Sequence, residues 1–216
     1  MEIFRTLFGW LPASIEAILS WLTQLTGSAG LAIILLTIGI RLALYPLTKK
    51  QAESMAALKE IQPKLKEIQE KYKDKPQEYQ KRVMQLYQEK GINPLGGCFP
   101  LLIQFPFLIA LFQVLNNYTF EGADPHFLIW ELNQPDRFYI LPLLSAATTY
   151  LQIAMTTADE SQKAMTIIMP LFIGWISINF PSGLVLYWVV SNLFSIVQQY
   201  FLTKQTAGAK GGATAK

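Results

Sequence analysis

The chain has 216 residues, of which 51% are apolar, 12% aromatic and only 15% charged, with a net charge of +3; an average soluble domain carries roughly 25% charged residues. One cysteine excludes an intramolecular disulfide framework and multi-cysteine metal sites, and one histidine, His126, argues against a His-based metal cluster or a Ser/His/Asp triad. The charge is too small and too local for a nucleic-acid binder, since 11 of the 18 basic and seven of the 15 acidic residues fall between Lys49 and Lys90; the nearly charge-free remainder predicts an all-α integral membrane protein.

Residues 1–28 lack the basic start and long apolar stretch of a signal peptide. Within them Ile15, Ile18, Leu19 and Leu22 recur at helical spacing, with Glu16, Ser20 and Gln24 between them and Trp10 and Trp21 alongside. Tryptophan favours the membrane–water boundary, so this segment reads as an extracytoplasmic amphipathic helix lying on the membrane; a helix packed on protein is the alternative.

Five apolar segments follow, each long enough for a hydrocarbon core of ~30 Å. They cover 29–47, 95–117, 138–157, 164–180 and 182–202. Only Phe180-Pro181-Ser182 separates the last two, which predicts a tight antiparallel hairpin. The segment 118–137 is then an extracytoplasmic loop. If the five spans alternate, 15 of the 18 basic residues fall on one side: 11 in the 49–90 region, Lys163, and Lys204, Lys210 and Lys216 in the tail. The positive-inside rule then places the N-terminus outside and the C-terminus in the cytoplasm.

Between spans one and two, residues 48–92 read as a cytoplasmic helical hairpin. Met55, Leu58, Ile61, Leu65, Ile68 and Tyr72 follow a near-heptad spacing, a turn signal lies at Lys73-Asp74-Lys75-Pro76, and a second periodic run holds Tyr79, Val83 and Leu86. Pro63 is expected to kink the first helix or break it in two. The hairpin should be the most mobile structured part, because its seam buries less apolar surface than the spans. Residues 203–216, rich in Gly, Ala and Lys, read as a disordered cytoplasmic tail.

Arg41 is the most informative position. A charge near the centre of a span costs ~2.5–3.5 kcal/mol on the insertion scale and usually faces protein or a water-filled cavity; snorkelling to the headgroups is the alternative. Thr37 lies one turn away on the same face. Other spans contribute Gln104, Thr148, Thr149, Gln152, Ser177, Asn179, Ser191, Asn192, Gln198 and Gln199. Most of these fit helix–helix packing, but amides in hydrocarbon need partners, so some should converge with Arg41 on a wet cavity. No span contains a carboxylate to neutralise Arg41, which leaves it available to an anion or a transient peptide. Leu95-Gly96-Gly97-Cys98 looks like a lipoprotein box but follows the charged hairpin, so Cys98 reads as a packing residue. Gly183 and its serines make no G-x-S-x-G.

The blocks Arg-Leu-Ala-Leu-Tyr-Pro-Leu-Thr (41–48), Gln62-Pro63, Asn-Pro-Leu-Gly-Gly-Cys-Phe-Pro-Leu-Leu-Ile-Gln-Phe-Pro (93–106), Tyr-Ile-Leu-Pro (139–142) and Phe-Pro-Ser-Gly-Leu-Val-Leu-Tyr-Trp-Val-Val-Ser-Asn (180–192) resemble the YidC/Oxa/Alb family of membrane protein insertases. The likeness runs in order from about 9 to 203, in YidC-type wording and in a short form without a leading span or large periplasmic domain. The resemblance implies five spans around a hydrophilic groove open to the cytoplasm and lipid. It maps the intramembrane arginine onto Arg41 and groove-lining positions onto Thr37, Gln104, Tyr187, Trp188 and Ser191. The implied activity is that of an insertase and chaperone, not an enzyme, with no catalytic residue, metal or cofactor. Its implied partners are nascent membrane proteins and the lipid bilayer, with the ribosome and a Sec-type translocon as candidates and no direct contact with nucleic acid. The membrane would be a bacterial plasma membrane, or a cyanobacterial or plastid thylakoid. The alternative reading is a small-solute or anion transporter using Arg41, against which the absence of an internal sequence repeat counts.

Overall fold

The computed structural model describes residues 9–91, 99–117, 124–156 and 163–213; the side chains of 99–104, 117, 156, 163 and 203–213 fall outside that description. The described residues are mostly helical. In chain order they form α1 (Trp10–Thr26), α2 (Ala29–Ala43), α3 (Tyr45–Lys71), α4 (Pro76–Glu89), α5 (Phe99–Asn117), a short antiparallel pair β1 (His126–Phe127) and β2 (Trp130–Glu131), α6 (Ile140–Thr156), α7 (Lys163–Ser177) and α8 (Ser182–Ala213). By length and composition Ser182–Leu202 can cross a membrane, and α2 with α3 pass together as a pair bent by 63°. Phe105–Asn116, Ile140–Met155 and Ala164–Ser177 are shorter apolar helices.

The α1 helix buries Leu11, Ile15, Leu19 and Leu22 and packs on α2 and α5. Its outward stripe, Trp10, Ile18, Trp21 and Leu25, is exposed. One apolar face thus meets protein and another faces outward. Gly27 ends the helix in the left-handed conformation (φ 67°), its N–H donating to Thr23 O at 2.8 Å, a geometry that glycine adopts without steric cost. Ser28 then caps α2 by accepting from the Leu31 N–H.

Where the sequence predicts a first span to Leu47, α2 ends at Ala43. Pro46 explains the difference. It occupies the first turn of α3, where its missing N–H leaves no bond unmade, so a new helix starts there on a new axis. Conversely, Pro63 does not break α3, which stays helical from Tyr45 to Lys71. The second helix, α4, packs back on α3, and Ile61 and Leu86 are buried. The tail also departs from the expected disorder, because the α8 backbone remains helical to Ala213. No proline lies between 202 and 213, and the glycines there weaken a helix by about 1 kcal/mol each without forbidding it.

At the centre of the bundle, α8 touches α2, α3, α5 and α6. The expected hairpin of spans four and five is corrected by the structure: α7 packs on α6 and hardly touches α8. The intervening turn is held elsewhere. Ser182 N–H and Oγ donate to Gln134 O at 2.8 and 2.7 Å, and Gly183 N–H donates to Leu132 O at 2.9 Å. These bonds anchor the start of α8 to the 124–136 segment and leave room for α6 between the two helices. Helices α6 and α7 approach through small residues. A Cβ on Gly174 would lie 2.9 Å from Ala146 Cβ, and Ser145 Oγ donates to Ser177 Oγ at 3.1 Å.

The 124–136 segment seals one end of the bundle. Leu132 is fully buried, and the Phe127 ring sits so close over Gly30 that a Cβ there would collide with it. Asp136 is buried and caps α6, accepting from Phe138 N–H at 2.9 Å and Leu141 N–H at 2.7 Å. From this sealed end α2, α6 and α8 run side by side toward α3.

Candidate functional site

Arg41 lies near the C-terminal end of α2, facing α8. Its Nε and Nη2 both donate to Ser191 Oγ, at 3.1 and 2.9 Å. A bond to a charged donor is worth about 1.5–3 kcal/mol, enough to fix the guanidinium between the two helices. No ion pair is recorded for Arg41 among the described residues.

Below this contact, away from the sealed end, is a cavity of about 130 Å³ lined by Arg41, Thr48, Gln51, Ala52, Met55, Gln152, Met155, Ser195, Gln198 and Gln199, among others. A polar cavity of this size is roomy enough for water. Arg41 is the one charged group in this lining. Around it are neutral amides and hydroxyls that both donate and accept. Gln198 Nε2 donates to Thr48 Oγ1 at 2.6 Å, tying α8 to the first turn of α3. Lys59 Nζ donates to Met155 O at 2.8 Å, tying α3 to the last turn of α6.

One wall of the site depends on a polar clasp between α6 and α8. Asn192 is buried and its Nδ2 donates to Thr148 Oγ1 at 3.1 Å and to Thr149 Oγ1 at 2.9 Å; Trp188 Nε1 also donates to Thr149 Oγ1, at 3.3 Å. Adjacent residues of α8 therefore reach opposite neighbours: Ser191 holds α2 and Asn192 holds α6. The gap between α2 and α6 is spanned by α8.

Of the sequence-predicted site residues, the structure brings Arg41 and Ser191 together. Thr37 is fully buried and its hydroxyl donates to Ile33 O of its own helix at 2.6 Å, so it does not line the cavity. Tyr187 is buried in the core, and Trp188 is engaged with Thr149. The side chain of Gln104 lies outside the described residues, as do Cys98 and the expected start of span two at 95. Gln152, Gln198 and Gln199, read from sequence only as polar residues in apolar spans, line the cavity. Gln51 and Lys59 were hidden in the charged hairpin, where their spacing from Thr48 along one face of α3 was the available signal.

The sequence profile of the 60Kd inner membrane protein family matches residues 21–209. The chain is 41% identical over 194 residues to a protein of Caldanaerobacter subterraneus subsp. tengcongensis named membrane protein insertase YidC, covering 90% of this chain and 94% of that one. It is 46% identical over 203 residues to the like-named protein of Wolinella succinogenes, covering 92% of this chain but only 38% of that longer relative. Among solved structures it is similar to one described as an active YidC insertase with its first transmembrane domain resolved, with a TM-score of 0.74 and 31% identity over 92% of this chain and 46% of the other.

Proposed function

Because the chain belongs to the 60Kd inner membrane protein family, the family of the YidC insertases, we propose that it inserts nascent membrane proteins into the bilayer and that the Arg41 cavity receives the polar flank of the entering segment. The observation carrying this reading is a lone guanidinium, held by Ser191, in a cavity otherwise lined by neutral amides, hydroxyls and apolar groups. In the proposed arrangement the five apolar segments around α2, α5, α6, α7 and α8 span the membrane. The α3–α4 hairpin and the tail lie in the cytoplasm, and the N-terminus and residues 118–137 lie outside. The exposed stripe of α1, with Trp10 and Trp21, rests at the outer interface. The exposed apolar side chains of α7, including Ile168, Leu171 and Trp175, face lipid.

A sealed outer end and a polar cavity at the inner end shorten the hydrophobic path. A polar flank resting beside Arg41 has only part of the hydrocarbon core left to cross. Partition of ~20 apolar residues into lipid then supplies the driving force without a covalent step, nucleotide or cofactor. The ribosome and a Sec-type translocon are proposed partners on the hairpin side. Protein reconstituted into liposomes should insert a short single-span substrate, and Arg41→Ala should insert less of it. Anion flux without insertion would favour a transporter instead.

A further inference from the structure

We propose that Lys59 is a positioning residue that latches α3 over the Arg41 cavity as a lid. Thr48, Ala52, Met55 and Lys59 are spaced 4, 3 and 4 residues apart, so they form one stripe along α3. The first three line the cavity; the fourth reaches past it to donate its ammonium to Met155 O on α6 at 2.8 Å. The final carbonyls of a helix have no partner within it and carry the negative end of its dipole. A lysine is therefore a suitable cap there, and this cap comes from a different element.

The same helix has a built-in pivot. It joins α2 through Leu44 at a 63° bend, and the Gln198–Thr48 bond lies close to that pivot. Lys59 is 15 residues beyond Leu44, a lever of ~22 Å. A contact at that distance governs the swing of the lid far more than one beside the hinge. Beyond Lys59 the hairpin turns charged and exposed at Lys64 and Lys66, with little apolar surface to hold it down. Release of one hydrogen bond would free Ala52 and Met55 to leave the cavity and open it toward α6. The inference rests on the insertase reading only for what the lid keeps out; access to the cavity can be measured without any substrate.

The experiment places a thiol in the cavity by Ser195→Cys in a Cys98→Ser background and reads its modification rate with a small polar maleimide in proteoliposomes. Lys59→Met keeps the chain length but removes the donor, and should speed labelling at least threefold. Lys59→Arg keeps a donor and should stay within twofold of the parent, and Lys66→Met should leave the rate unchanged. An unchanged rate in Lys59→Met would overturn the proposal. Equal acceleration by Lys66→Met or by Lys59→Arg would overturn it too, since the effect would then be general loosening of the hairpin. No insertion by the parent protein, with the labelling rates as expected, would count against the insertase reading and leave the lid standing.

Discussion

Removing the charge of Arg41 tests the electrostatic part of the mechanism most directly. Two unit charges about 4 Å apart attract by about 4 kcal/mol at an effective dielectric near 20, whereas exposed pairs in water are worth about 0–1 kcal/mol. Arg41 is partly buried, beside a cavity with room for water, so about 1–2 kcal/mol is the fitting figure, or roughly 5–30-fold in rate. Arg41→Ala should therefore slow insertion of substrates with acidic outer flanks by that factor more than substrates with neutral flanks. Arg41→Lys should keep part of the preference, because the charge remains but the two-donor fork onto Ser191 Oγ is lost. Ser191→Ala leaves the charge and removes its anchor, so, like Arg41→Lys, it should keep only part of the preference for acidic flanks. The assay is insertion into proteoliposomes across a series of flanks of graded charge, with each variant checked for fold by its thermal transition. Equal loss for acidic and neutral flanks in Arg41→Ala would refute the charge argument and leave the guanidinium as a group that hydrates the cavity.

Three further outcomes follow from the packing and from the 124–131 segment. Gly30→Ala should destabilise by about 1–3 kcal/mol, since its Cβ would meet the Phe127 ring; a lowered melting temperature, partly restored by Phe127→Ala, is the check. Asn192→Leu should cost about 1–2 kcal/mol through its two bonds to Thr148 and Thr149, and should also raise thiol labelling in the cavity as α6 loosens from α8. Bonds from the backbone and then the side chain of His126 hold the Asp124 carboxyl below the usual aspartate range. Its contribution to local order is therefore present above that range and lost as pH falls through the lowered value, so Trp130 fluorescence should change in acid, and Asp124→Asn should remove that step.

Arg41 was legible because a lone charge in an apolar run has few explanations, and its family wording was dense enough to name the family from residues alone. Its partner was not. Ser191 stood in the sequence among ten other polar residues, and helical periodicity gives a face without saying which neighbour that face meets. Thr37 shows the cost of that gap: it shares the face of Arg41, yet one turn up the face is covered, and its hydroxyl turns back onto Ile33 O. The hairpin of spans four and five failed for a related reason. A short connection fixes where two helix ends meet but not the angle at which they part, and that angle was set by Gln134 and Leu132, some fifty residues upstream. Pro46 and Pro63 had opposite outcomes for one physical reason, their position within a turn: at a helix start proline costs no bond, while in mid-helix its cost is borne by the surrounding helix.

The order of the helices in space has a bearing on how the chain comes to be assembled. Two groups can form as it emerges: α1, α2 and α5 on one side, and α6 with α7, zipped by Gly174 and Ser145, on the other. Among the described residues the two groups are joined chiefly through α8, which is synthesised after every helix it touches, with the Lys59–Met155 bond as a further link from α3 to α6. Until α8 arrives, Arg41 lacks Ser191 and Thr148 and Thr149 lack Asn192, so both groups wait in the bilayer with polar surfaces uncovered. A ribosome stalled before residue 182 would thus hold a protein with all its apolar segments but one and a cavity missing the wall that Ser195, Gln198 and Gln199 supply. The insertase would itself be a late-closing client of the membrane, dependent on its final helix to become competent.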